Sequence, residues 1–263
     1  PGQNSIPNED VDFSLDQYTY ESDWKFKQLS TFARSVLPPQ RWPIVLDDER
    51  HYGFVHRIDV ASSGLVLAAK TYEAYYDLAL QLNIGRLVRD YVVLCHGWMD
   101  PEFHHISERV YYDKKEEQRP SLVQPNGKPS ISRLKVLSHL WRGKARFSLV
   151  VIRIITGRRH QIRTHTAHVG HPVVCDLKYT SPTIFHEDRW CARNFLHRYR
   201  LVFWDSANSQ REVVEELPVD LVQALQQLHP KDTESSGALA RWQRSTADSG
   251  LPGWEDWKPL SIK

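Results

Sequence analysis

Three short stretches of this chain concentrate side chains that can do chemistry. The first, His56-Arg57-Ile58-Asp59-Val60-Ala61-Ser62-Ser63-Gly64-Leu65, sets one carboxylate beside an arginine just ahead of an apolar run. A carboxylate held this way can act as a nucleophile, or be half of an ordinary surface Arg–Asp pair. The second, Arg89-Asp90-Tyr91, opens a β-rich run that ends at Gly97. The third, Thr156-Gly157-Arg158-Arg159-His160-Gln161-Ile162-Arg163-Thr164-His165, brings Arg159, His160 and Arg163 within about one helical turn, where they can donate to phosphate or carboxylate. His160, His165, His168 and His171 raise the reading of a metal-dependent hydrolase. No acidic or Cys ligand accompanies them, and spacings of five, three and three put them on different helical faces. No metal is expected.

The elements that must position these groups follow from periodicity and punctuation. Lys25 to Leu37 reads as a short helix stopped by Pro38-Pro39, and Ser63 to Ala69 as a buried strand. Thr71 is placed to cap a helix whose Ala74, Leu78 and Leu82 form a core stripe and whose end falls at Gly85. Val88 to Trp98 reads as a strand, and the polar stretch Pro101 to Ser130 as a surface excursion or hairpin. Leu134 to Leu140 and Ala145 to Ile155 read as an antiparallel hairpin, followed by a helix around Arg159 to His168. Short strands at Pro172 to Val174 and Leu196 to Trp204 and a helix at Asp220 to Leu228 complete the pattern.

Residues 1–24 read as an acidic arm, 25–228 as the folded domain that carries all three stretches, and 229–263 as a Ser-, Asp-, Gly- and Trp-bearing tail that is appended. At 263 residues and 41% hydrophobic content the chain can bury a sizeable core, which excludes wholesale disorder. Its longest apolar run, Phe147 to Ile155, is interrupted by Arg153, so no membrane span or membrane partner is expected. Three scattered cysteines, Cys95, Cys175 and Cys191, fit an intracellular, reducing compartment, in the cytoplasm or an organelle. The chain starts at Pro1 without Met, as a fragment or trimmed chain would, leaving any targeting peptide unseen. The net charge of +2 hides an asymmetry: residues 131–200 carry 14 Lys/Arg against Asp176, Glu187 and Asp188, a block of +11 against −9 elsewhere. Such a block is either a polyanion footprint or a solvated surface balanced by acidic neighbours.

The three stretches, in this order, resemble the RluA-type pseudouridine synthase family. The pattern His-Arg-Leu-Asp followed by Thr-Ser-Gly-Leu is matched by His56 to Leu65, with Ile58 for Leu and Ser62 for Thr. Arg89 to Tyr91 is similar to the family's Lys-x-Tyr, and Thr156 to His165 meets Thr-Gly-Arg-x-His-Gln-Ile-Arg-x-His without exception. Gly170 to Asp176, Tyr179 and Leu196-His197 continue the match. The family's upstream Lys-Pro-x-Gly strand is hinted at only by Pro1-Gly2.

The resemblance implies an α/β (α+β) fold with a long, mixed and mainly antiparallel sheet, flanked by helices and split by a basic cleft with Asp59 at its floor. It implies an RNA pseudouridine synthase, an isomerase that detaches uracil from ribose at N1 and reattaches it through C5, with no cofactor. Asp59 would be the catalytic carboxylate, by attack on the sugar or by assisting elimination. Arg163 would pair with it and keep it ionised against the cost of burial. Tyr91 would stack on the uracil. Arg57 would fill the space left by the flipped base, with His56, Arg158, Arg159, His160 and Gln161 as further RNA contacts. The implied partner is ribosomal or transfer RNA, bound by a chain that is monomeric when free. A catalytically silent RNA-binding or structural subunit of a larger ribonucleoprotein particle is the alternative.

Overall fold

The computed structural model describes residues 29–113, 115, 119–244 and 251–261. The acidic arm expected over residues 1–24 lies outside them. The described residues form two compact units, the smaller drawn from 29–60, 66–87 and 202–212, the larger from 61–65, 88–201 and 213–261.

The smaller unit contains helix α1 (Leu29–Val36), two 3-10 turns at Pro43–Leu46 and His51–Gly53, and helix α2 (Tyr72–Asn83). Thr71 caps α2 as expected, its hydroxyl accepting from the Ala74 N–H at 3.2 Å, and Gly85 follows the helix end at φ +73°. The buried face of α2 is Leu78, Gln81 and Leu82. Gln81 is buried because its amide clamps the backbone of Trp204, donating to the carbonyl at 2.8 Å and accepting from the N–H at 2.9 Å.

The expected strand over Ser63 to Ala69 is divided. Only Ser63–Gly64 is strand (β1), while Val55 N–H bonds the Leu67 carbonyl and Ala69 N–H the Gly53 carbonyl. Gly64 is the break: it sits at φ +114°, and a Cβ there would collide with the Arg198 backbone.

In the larger unit, β2 (Val88–His96) pairs antiparallel with β7 (Ala145–Ile154), placing Tyr91 opposite Ile152. β7 forms the expected hairpin with β6 (Ser132–Arg142) through the Gly143-Lys144 turn, where Gly143 takes φ +60° as a tight hairpin requires. Parallel β1 and β8 (Leu196–Trp204) extend the sheet on one side and β10 (His229–Pro230) on the other; the order is β1-β8-β2-β7-β6-β10, with β3 (His105–Ile106) beside β6 and β9 (Gln210–Val214) beside β8. The excursion over residues 101–130 contains its own small ribbon, β4 (Val110–Tyr111) with β5 (Leu122–Val123). Pro172 to Val174 contributes a single bridge, Val173 to Cys95, rather than a strand.

The period-two alternation of strands sorts side chains into two cores. Val92, Leu94, Phe147, Leu149 and Val151 face one core with α4 (Val219–Gln226) and α5 (Thr233–Gln243). Tyr91, Val93, Cys95, Val150, Ile152 and Ile154 face the other, with Ile162 of α3 (Gln161–His168). The described part of the expected tail, residues 229–244 and 251–261, packs into the first core. Trp242, Trp254 and Trp257 are buried in the first core, Trp242 stacked on Trp257 at 5.3 Å and edge-on to Tyr199 at 5.1 Å. Lys135 Nζ ties the segment down, donating to the carbonyls of Trp254 at 2.6 Å and Trp257 at 2.8 Å. Three anchors of large apolar area outweigh the polar residues around them.

Candidate active site

Asp59 and its neighbours belong to the smaller unit. Asp59 and Arg57 are half-buried in irregular backbone just before the turn at residues 60–61. His56 is buried, and its Nε2 accepts the Leu67 N–H at 3.3 Å, so the first stretch is pinned beside the run that follows it.

Tyr91 and Arg163 belong to the larger unit, on the sheet face covered by α3. Arg198 donates to the Tyr91 hydroxyl from Nε at 2.8 Å and to the Leu65 carbonyl from Nη1 at 2.9 Å. One planar guanidinium thus fixes the tyrosine of the second stretch against the backbone that closes the first. Ser63 is held in the same strand pairing: its hydroxyl lies 2.9 Å from His197 Nδ1 and accepts from Arg193 Nη1 at 2.9 Å, while Arg193 grips Asp220 with two bonds. The Ser-Gly of the first stretch therefore reads out a fitting problem, a hydroxyl for His197 and no side chain against Arg198.

Arg163 is buried and makes a fork-to-fork pair with buried Asp176, Nε to Oδ2 at 2.6 Å and Nη2 to Oδ1 at 2.7 Å. Asp176 thereby takes two of its five N–H donors and sets the plane of the guanidinium. The face of Arg163 lies over Tyr179, 5.1 Å from the ring centroid. Tyr179 is itself a hub, its hydroxyl accepting from Ser121 N–H at 2.8 Å and from Thr164 at 3.0 Å and lying 3.1 Å from His160 Nδ1.

The rest of the third stretch is largely internal scaffold. Gln161 accepts from the Thr156 hydroxyl at 2.9 Å and the Arg158 N–H at 3.1 Å, and donates to the Ile131 carbonyl and the Ser132 hydroxyl, both at 3.1 Å. All four hydrogen bonds an amide can make are used, so Gln161 positions the turn in this structure. The chain of bonds continues from Ser132 Oγ to His165 Nδ1 at 3.0 Å and from His165 Nε2 to the Glu108 carbonyl at 3.2 Å. A carbonyl only accepts, so the proton is on Nε2. Burial pushes the His165 pKa down to about 4, and the ring is neutral. Burial does the same to His197. Arg159 is buried over the Tyr112 ring, and Arg158, half-buried, reaches the Pro129 carbonyl at 3.4 Å.

The four histidines weighed as a metal cluster have separate neighbours: Tyr179 for His160, Ser132 and Glu108 for His165, and the His96 carbonyl for His171, while His168 is exposed. Among the described residues no group of three His, Cys, Asp or Glu is placed to hold a metal ion. The basic block divides in two. Arg153, Arg163, Arg193, Arg198 and Arg200 are committed to internal partners, while Arg133, Arg142, Lys144, Arg146 and Arg189 are exposed. Composition could not separate them. Arg198, Ser132 and Ser121 carried no motif signal; Asp176 and Tyr179 were marked by the continuation of the third stretch, without their roles.

With this geometry in place, comparison with known proteins is specific. The family model for RNA pseudouridylate synthase matches residues 43–168. Ribosomal large subunit pseudouridine synthase C of Vibrio cholerae is 34% identical over 182 residues, covering 67% of this chain and 55% of that protein. Ribosomal large subunit pseudouridine synthase D of Salmonella typhimurium is 33% identical over 145 residues, covering 52% and 40%. The chain thus spans about half the length of the curated relatives it matches. Among solved structures, human RNA Pseudouridylate Synthase Domain Containing 1 superposes with a TM-score of 0.61 at 25% identity, over 78% of this chain and 87% of that one. Motif order, sheet topology and these matches agree, and the chain belongs to the RluA-type pseudouridine synthase family.

Proposed function

We propose that this chain is an RNA pseudouridine synthase that isomerises a uridine in structured RNA. The observation that carries the reading is the Arg198 bridge, which holds the Tyr91 hydroxyl and the Leu65 carbonyl at once and so organises the second stretch around the end of the first. In this reading Asp59 faces the sugar–base bond of a flipped uridine. The N1–C1′ bond breaks, uracil turns, C5 bonds to C1′, and the proton leaving C5 is balanced by one gained at N1. Tyr91 supports the base with its ring, and its hydroxyl, taking hydrogen bonds from Arg198, is fixed in place. Arg163, its plane set by Asp176, supplies the positive charge that keeps Asp59 ionised. Arg57 takes the place of the flipped base, and His56, Arg158, Arg159 and His160 line the approach. The names of the relatives make large-subunit ribosomal RNA the first substrate to try.

The test is incubation of the purified chain with unmodified ribosomal and transfer RNAs, followed by chemical mapping of pseudouridine. A new pseudouridine, lost by at least about a thousandfold in Asp59→Asn while RNA binding persists, is the expected result. Full activity in Asp59→Asn removes Asp59 from the chemistry. Salt-sensitive RNA binding without product from any RNA replaces the enzyme with a silent RNA-binding subunit.

A further inference from the structure

Arg89, on the Tyr91 side of β2, is a buried arginine with no carboxylate beside it among the described residues. It is 4% exposed, and its Nε has no hydrogen-bond partner among the described residues. The groups that act on it electrostatically are Tyr91, Arg198 and Arg158, none of them a carboxylate. Burial first, and then the like charges of Arg198 and Arg158, push its pKa down to about 10. The guanidinium lies against Gly157, where a Cβ would stand 2.7 Å from Nη1; the absence of a side chain at 157 is what admits it. Compare Arg153, Arg163 and Arg200, each of which meets a buried carboxylate. A buried cation with no described anion beside it costs stability, and an anion bound there would offset that cost.

We propose that Arg89, with Arg158 beside it and Gly157 as its seat, is a binding site for one phosphodiester of the RNA strand. The strand geometry supports this choice over the base itself. Arg89 and Tyr91 are two residues apart on one face of β2, about 7 Å, which is the scale separating a nucleobase ring from the phosphate of its own nucleotide. If Tyr91 carries the uracil, as the proposed function has it, Arg89 lies where that nucleotide's backbone passes. The inference rests on that reading for its orientation. The arginine in place of the family's lysine adds a planar, two-pronged donor set suited to phosphate oxygens.

The experiment measures affinity for the same unmodified ribosomal RNA transcript used in the product assay, across a range of salt, together with the melting temperature of the RNA-free protein. Arg89→Met is expected to weaken binding about tenfold at physiological salt and to reduce the slope of log affinity against log salt by about one, the signature of one lost phosphate contact. Arg89→Lys is expected to keep the slope. The RNA-free melting temperature of Arg89→Met is expected to match or exceed that of the parent, because an uncompensated charge has been removed; a structural arginine would lower it. Should Arg89→Met fail to fold, Arg89→Gln is read in its place.

A salt slope in the folded Met or Gln variant equal to the parent's overturns the proposal, as does loss of the slope in Arg89→Lys. The two readings separate cleanly. Product formation with an unchanged slope removes the phosphate site and keeps the isomerase; a slope reduced by about one with no product keeps the site and removes the isomerase. No RNA binding by the parent chain overturns both.

Discussion

The two faces of the central sheet use the same kind of interaction to different ends. On the rear face Asp90 is fully buried and takes two bonds from Arg153, at 2.7 and 2.9 Å, and one from Arg200 at 2.8 Å. Trp254 covers Arg153 at 5.0 Å, with Trp242 and Trp257 packed alongside in the same core. Asp90, Arg153 and Arg200 all find their partners inside the protein, and the arrangement closes the core. On the α3 face Arg163 is paired just as tightly to Asp176 and lies over Tyr179, and the same side of the sheet carries the Tyr179–His160 contact, the Gln161–Ser132–His165 chain, and Arg89, which has no carboxylate beside it among the described residues. A buried Arg–Asp pair is therefore no marker of function. What distinguishes the α3 face among the described residues is Arg89, a buried arginine with no carboxylate beside it.

That contrast can be broken most sharply at Asp176. Asp176→Asn removes the charge that orients Arg163 and leaves a buried cation, so it is expected to lower product formation by roughly a hundredfold, because a small displacement of a positioning group is enough. It is also expected to lower stability by about 3–5 kcal/mol. Denaturant titration with a single-turnover assay measures both, and unchanged turnover in the folded variant would leave Arg163 without a positioning requirement.

Trp242→Ala should do the opposite. Loss of a large ring from the rear core is expected to cost about 3–5 kcal/mol with the turnover of the folded fraction retained. A turnover defect at full folding would mean that the faces are coupled.

The third prediction concerns pH. His165 and His197 are each held near 4 by burial, below an ordinary histidine value of 6.5. Between those values the unfolded chain binds more protons than the folded one, so stability rises with pH. It is complete above about 6.5 and is lost as pH falls toward 4, by at most roughly 3 kcal/mol for each ring. Denaturation midpoints across that window check the sign, and His165→Gln should flatten the slope by about half. A stability that rises on acidification would show that the rings are charged in the folded protein.

Much of the local structure follows from the residues themselves. The Thr71 cap, the Gly85 helix end, the Gly143-Lys144 hairpin and the α3 helix are set by neighbours within a few positions, and the structure has all of them. The run over Ser63 to Ala69 misled because its apolar composition is that of a strand, while its hydrogen bonds go to two different places on either side of Gly64. The tail misled for the reverse reason. Its polar composition hid three tryptophans: Trp254 and Trp257 meet Lys135 and Arg153 about a hundred residues earlier on β6 and β7, and Trp242 packs on Tyr199 of β8.

By itself the sequence determined which residue types stand in which order, and so the family, the mainly antiparallel hairpin core and the candidate Asp59, Tyr91 and Arg163. Only the tertiary structure decided which charges are spent. Arg163 meets Asp176 across 13 residues, Arg198 meets Tyr91 across 107, and Arg153 meets Asp90 across 63, while Arg89 meets no carboxylate among the described residues. Local propensity acts over a turn or two of chain, whereas the pairing of buried charges is settled by which strands and helices the fold brings together and by how completely each site excludes water.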